Sequence, residues 1–398
     1  MQLPLAQDEE LGAAFADRPL AEWLAEWRAL GPLEQVRGLT MGLYRGEAAV
    51  WERPSLARGL RERLRRLRPR VELPPLLARR ETPDGSEKLL LETSRGRVEA
   101  VLIPETRSPR SRAWMQERLA PDARRSLSRR PPRASGCISS QVGCAVGCTF
   151  CASGLEGLVR NLAPRDLIGQ ALWLRRRAAA RGYHLGSVVV MGMGEPFHNL
   201  AALRVALGNL IDEWGGRFGA NHVTVSTVGV PAGIEALRAE GPRVNLALSL
   251  HASDDQTRAE LVPLARRLPP LEELCALGAA YAREARRTVS ISYVLLDGRN
   301  DAPSQARDLG RLLLAHGLPH VNLIPWNEVP ELPEHRAPRP ERVAGFLEVL
   351  RAAGLLAHVR ITRGAEAAAA CGQLRLQQQS PPRPSAPLAS GCAGPQEP

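Results

Sequence analysis

From about residue 137 to 376 the chain alternates short β-branched apolar runs with longer amphipathic segments, and this alternation restricts the fold more than any other feature. SVVVMG, HVTVSTVG, RVNLALSL, TVSISYVLL, HVNLIP and HVRIT read as buried strands. RDLIGQALWLRRRAAA and SQARDLGRLLLAHG carry the apolar spacing of helices. Strands separated by helices of that length pair in parallel. Counting the stretch around Cys137, the pattern predicts an α/β fold, a six- or seven-stranded sheet curled into a partial (βα)6-type, TIM-like barrel. In such folds reactive residues collect at the C-terminal ends of the strands. The polar motifs fall there: Gly194 and Glu195 after SVVVM, Ser226 near the end of HVTVS, Ser249, Leu250 and His251 after NLAL, and Asn327 after NLIP.

The remainder reads as smaller pieces. Residues 1 to about 80 form a helical accessory region whose arginines (Arg58, Arg61, Arg63, Arg65, Arg66, Arg68) face either RNA or solvent. Residues 86–104 alternate around a Ser-Arg-Gly turn and predict a β-hairpin with Glu99 on its second strand. Residues 106–135 are an arginine- and proline-rich inserted loop, and 377–398 a low-complexity, disordered tail in which Cys392 is incidental. A formal charge of +11 suits a polyanionic partner, although Lys88 is the only lysine and part of the excess reflects a general bias toward arginine. The N-terminus has acids where a secretory signal carries bases, and no long apolar run suggests a membrane span, so the expected location is cytoplasmic.

Seven cysteines are too few and too uneven for a disulfide scaffold, and three of them, Cys144, Cys148 and Cys151, sit within eight positions. Their C-x3-C-x2-C spacing, with Gly143 and Gly147 easing tight turns, fits a 4Fe-4S cluster. Three thiolates leave one of four irons open to the amino and carboxylate groups of S-adenosylmethionine. The competing reading is a zinc site completed by Cys137 or a nearby histidine. Cys275, inside LEELCALGAAYA, reads as a core residue.

CISSQVGCAVGCTFC, GLVRNL, VMGMGEP, VSTVG, LSLHA, NLIPWN and ACGQL, in this order, resemble the RlmN/Cfr family of radical S-adenosylmethionine RNA adenine methyltransferases over about residues 137–376. The resemblance implies that Cys144, Cys148 and Cys151 bind the cluster, and that Gly194, Glu195, Ser226, Ser249, Leu250, His251 and Asn327 contact S-adenosylmethionine. It also implies that Cys371 carries the methyl group, that Cys137 is its partner thiol and that Glu99 accepts a proton. The implied reaction methylates carbon 2 (favoured) or carbon 8 of an adenine in 23S ribosomal RNA, transfer RNA or both, through a methylcysteine and a transient disulfide. Electrons would come from a donor such as flavodoxin or ferredoxin. Two features depart from the family pattern: the long stretch from Thr106 to Ser135, and the alanines of RGAEAAAACGQL where an Asp-Ile pair is usual. The alternatives are a radical enzyme acting on a non-RNA substrate and a non-enzymatic RNA-binding protein with a structural metal.

Overall fold

Proline opens and glycine or arginine closes the first helices: α1 (Leu20–Arg28) follows Pro19, α2 (Leu33–Arg45) follows Pro32 and ends at left-handed Gly46, and α3 (Arg58–Leu67) ends at Arg68. These belong to a computed structural model that describes residues 15–47, 50–105, 131–360 and 373–374. The helices bury one apolar stripe, including Trp23, Trp27, Leu39, Leu60 and Leu64, and Phe15 stacks on Trp27 with ring centroids 5.6 Å apart.

The helical expectation for residues 1 to about 80 fails at its end. The last of these helices ends at Arg68, and after Pro74-Pro75 the segment Leu76–Glu81 is a strand, β1. It pairs antiparallel with β2 (Glu87–Thr93), which pairs antiparallel with β3 (Gly96–Pro104), so the predicted hairpin is two-thirds of a three-stranded unit. The loop expected to reach residue 135 also ends earlier, because β4 starts at Arg133 (Arg133–Ile138) and pairs antiparallel with β3. A two-stranded ribbon follows, β5 (Gln141–Gly143) with β6 (Leu158–Asn161).

Then come α4 (Pro164–Ala180), β7 (His184–Val190), α5 (Leu200–Ile211), β8 (Val223–Thr227), α6 (Pro231–Ala239), β9 (Asn245–Ser249), α7 (Asp255–Leu261) and α8 (Leu271–Ala285). β10 (Val289–Leu295), α9 (Pro303–Ala315), β11 (His320–Pro325), α10 (Pro340–Ala352) and β12 (Leu356–Val359) complete the described elements. β12 lies earlier than HVRIT, with Leu356 opposite His320. Among the described residues the sheet has ten strands in the order β1-β2-β3-β4-β7-β8-β9-β10-β11-β12, parallel from β4 onward, and it is open, with β1 and β12 at its edges.

Period-two alternation sorts this sheet. Val98, Ala100 and Leu102 of β3 and Val188 and Val190 of β7 join the core, while Val101, Ile103, Cys137 and Val189 form a separate cluster on the other face. The same core continues into the N-terminal helices. Asn209 of α5 fastens them: its Oδ1 accepts from Leu20 N (2.8 Å) and its Nδ2 donates to Arg18 O (2.9 Å). No described helix is long and apolar enough to cross a membrane.

Asn209→Ala strands buried backbone groups at Leu20 and is expected to cost about 1–3 kcal/mol. A lower thermal midpoint checks this, against an exposed Arg204→Ala control expected within about 0.5 kcal/mol of wild type. Equal midpoints for the two variants would contradict it.

Candidate active site

The three-cysteine loop runs from β5 to a 3-10 turn at Ala152–Gly154 and is stitched to the protein from both sides. Gly143 has φ of 75°, and a Cβ there would lie 2.0 Å from the Gly157 carbonyl oxygen, so only glycine lets Cys144 N donate to Gly157 O at 2.9 Å. Further along, Thr149 N donates to Leu261 O (3.0 Å), Trp326 Nε1 donates to Phe150 O (2.8 Å), and His335 Nε2 lies 3.1 Å from Thr149 O. The loop is therefore held by the segments that follow α7 and β11. These anchors were not anticipated; the Trp after NLIP was the available signal.

All three thiols pack against an apolar cluster that includes Val146, Phe150, Leu261 and Trp326. Burial raises their pKa values, Cys144 to about 12 and Cys148 well above the ordinary thiol range, with mutual repulsion adding to the effect. Such thiols ionise only against a cationic centre. Among the described residues no three His, Cys, Asp or Glu side chains are close enough to share one ion. Three thiolates from one short loop suit an iron–sulfur cluster, where each would bind its own iron and a fourth iron would be left open.

The strand ends surround this loop. Gly194 has φ of 102°, and a Cβ there would come within 2.6 Å of Gln141 Cβ. Next to it, Glu195 N donates to Gln141 Oε1 (2.8 Å). Glu195 is buried, and its carboxylate accepts from Phe197 N (3.0 Å) and Val228 N (2.9 Å), joining the β7 and β8 loops. Burial pushes its pKa up to about 7, against the hydrogen bonds that favour the carboxylate. Ser226 and Ser249 hydroxyls are 3.2 Å apart. Leu250 is buried, and its N–H donates to Ser292 O (3.2 Å). Asn327 is buried just beyond β11.

His251 adopts φ of 61°, its Nδ1 accepts from Val294 N (3.1 Å), and its ring meets Phe150 edge-on. Burial, then Arg258, holds its pKa down to about 3. The ring is thus neutral, with its proton on Nε2.

A second group lies on the β3–β4 face. Cys137 is opposite Val101, and both pack with Met193 and Leu374. Glu99, two residues before Val101, is buried rather than at the surface, and its Oε1 is 2.8 Å from Lys88 Nζ. Ser139 Oγ donates to Glu99 O (2.7 Å) and accepts from Met193 N (2.9 Å), tying this group to the Gly194–Glu195 loop. Leu374 is fixed by Ser153 Oγ, which donates to its carbonyl at 2.7 Å. Cys371 lies outside the described residues. Lys88 and Ser139 were missed; the signal for Lys88 was its standing alone among the arginines. Cys275 is buried in α8, and the described cysteines are free thiols.

No protein-family model matches the chain. A solved radical S-adenosylmethionine methyltransferase from Sphaerobacter thermophilus is 39% identical, with a TM-score of 0.75 over 91% of this chain and 99% of that one. Fold and site together thus define an α/β radical S-adenosylmethionine methyltransferase. Among curated relatives, a dual-specificity RNA methyltransferase RlmN from Anaeromyxobacter is 39% identical over 97% of this chain and 93% of its own length. A probable RlmN from Opitutus terrae is 42% identical over 84% and 87% respectively. The chain belongs to the RlmN family.

With a folded-state pKa near 3 against an ordinary value of 6.5, His251 contributes stability above pH 6.5 that is lost as pH falls toward 3, since the unfolded chain protonates first. Nitrogen-15 NMR of the ring is expected to show the neutral Nε2–H form unchanged from pH 8 to about pH 5. A titration centred near the ordinary value would contradict this environment.

Proposed function

We propose that the chain methylates an adenine ring carbon in RNA, carbon 2 being the favoured position, with 23S ribosomal RNA and transfer RNA as substrates. The relatives' names support RNA as substrate. The observation that carries the reading is the packing of Leu374, three residues after Cys371, against Cys137, Val101 and Met193. The short sequence separation between Leu374 and Cys371 supports assigning Cys371 to the same group as Cys137 and Glu99.

Cys144, Cys148 and Cys151 would hold a 4Fe-4S cluster, and Gly194, Glu195, Ser226, Ser249, Leu250, His251 and Asn327 would line the place of S-adenosylmethionine. When bound, these groups supply a methyl group and the one-electron chemistry that a weakly nucleophilic ring carbon requires. Cys371 carries the methyl carbon to the base. Glu99, with Oε1 2.8 Å from Lys88 Nζ, takes the proton that the substituted ring carbon loses. The Cys137 thiolate then attacks the Cys371 sulfur, forming an S–S bond as the sulfur–carbon bond breaks, and the released CH2 carbon, which keeps the bonding pair, takes a proton from solvent to become the product's methyl group. A reducing, cytoplasmic setting restores the two thiols, and a flavodoxin- or ferredoxin-type donor supplies the electrons.

Mass spectrometry of the tryptic peptide spanning residues 364–375 tests this. A methyl group on Cys371 is expected in protein made with S-adenosylmethionine present, and a protein–RNA cross-link is expected to accumulate in Cys137→Ala. Full RNA methylation by Cys371→Ala would overturn the scheme. Glu99→Gln is expected to keep the Cys371 methyl group while slowing RNA methylation by about 100-fold or more. Lys88→Met is expected to act in the same direction, and unchanged rates in both would remove the proton-acceptor assignment.

A further inference from the structure

We propose that a basic cavity at the N-terminal end of the sheet, opposite the catalytic end, binds phosphate groups of the RNA chain; the RNA source rests on the function proposed above. The cavity, about 640 Å³, lies between α2, α4, the start of β7 and the glycine-rich loop before β8. Its lining includes Arg45, Arg175, Arg176 and Arg217 with His184 and His222, and none of the described residues lining it is Asp or Glu. That volume is in the range of pockets that hold a nucleotide-sized ligand.

Arg175 builds the walls. Its guanidinium donates to Gly216 O (2.8 Å) and Tyr44 O (2.9 Å), joining the glycine-rich loop to α2. Burial lowers its pKa, and Arg176, Arg45 and Arg217 lower it further, so three other guanidinium groups are near enough to repel that of Arg175. The nearest relief is partial: Glu47 approaches Arg45 at 3.9 Å. An anion in the cavity would offset this repulsion, and the exposed Arg176 and Arg217 are free of the carbonyl contacts that occupy Arg175.

The arginine-rich composition alone does not account for the arrangement. On α3, Arg58 pairs with Glu62, and Arg63 pairs with Glu26 of α1, in the ordinary manner of a solvated face. At the cavity, arginines from three separate segments converge. Its distance from the chemistry also points to backbone rather than base recognition. The seven residues of β7 span about 20 Å from His184 toward the Gly194–Glu195 loop. A phosphate bound there belongs to a part of the RNA away from the reacting adenine, or to a free nucleotide.

Fluorescence anisotropy of a labelled RNA hairpin titrated with the full chain over a salt series tests the site. The double variant Arg176→Gln/Arg217→Gln is expected to weaken binding about tenfold at low salt and to flatten the log Kd against log salt slope by about 1 to 2. Arg176→Lys/Arg217→Lys is expected to keep the slope, and Arg65→Gln/Arg66→Gln on α3 to leave both quantities near wild type. Unchanged binding by the cavity double variant, or equal loss in the α3 control, overturns the inference while leaving RNA as substrate. Calorimetry with pyrophosphate separates the sources. Pyrophosphate binding that needs Arg176 and Arg217, with no hairpin binding by wild type, assigns the cavity to a free nucleotide and counts against the RNA reading. Binding of neither overturns the cavity inference and the RNA reading together.

Discussion

Three thiols in an apolar pocket lose the solvent that would let them ionise, and Cys144 and Cys148 lie as well under the field of Cys151 and of Glu195. Burial of this kind disfavours their ionised form unless a positive centre offsets it, which is the physical ground for the proposal that the loop from Cys144 to Cys151 holds a metal cluster. A loop with so little secondary structure does not hold that shape unaided. It is held from outside, by Gly157 and Leu261 through its backbone N–H groups and by Trp326 and His335 at its carbonyls. These supports come from the ends of β6, α7 and β11, so the site depends on the parallel strands ending at one level.

The antiparallel extension has a different task. It adds β3 beside β4 in a register that sets Val101 opposite Cys137 and puts Glu99 on the same face two residues away. A one-residue slip would send Glu99 into the helix-packed core and bring Ala100 to the site. Ser139 guards against this by bonding both to the Glu99 carbonyl and to Met193, so the strand that carries Glu99 and the strand-end loop are tied together. The Gly194–Glu195 loop and the group around Cys137 and Glu99 are thus neighbours by virtue of one hydroxyl and one strand register.

Much of this was legible before the fold was known. The β-branched runs after Cys137 are apolar along nearly their whole length and mark the parallel strands, and the polar residues directly following them mark the site. β1 was not legible, because LLARRE is an edge strand with only intermediate or exposed positions and carries no alternation strong enough to outweigh its arginines. The start of β4 was hidden for a similar reason: Arg133 and Ala134 continue the composition of the preceding loop. Long-range partners such as Trp326 with Phe150, or Leu374 with Cys137, have no local signature, since tertiary contacts across more than 170 residues leave no periodicity to read.

The account stands or falls on what the three thiols hold. Anaerobically reconstituted full-length protein, analysed for iron, acid-labile sulfide and zinc, measures this directly. About four irons and four sulfides per chain, with loss of both in Cys144→Ala, Cys148→Ala and Cys151→Ala, is the predicted result. One zinc per chain with no iron or sulfide would contradict it.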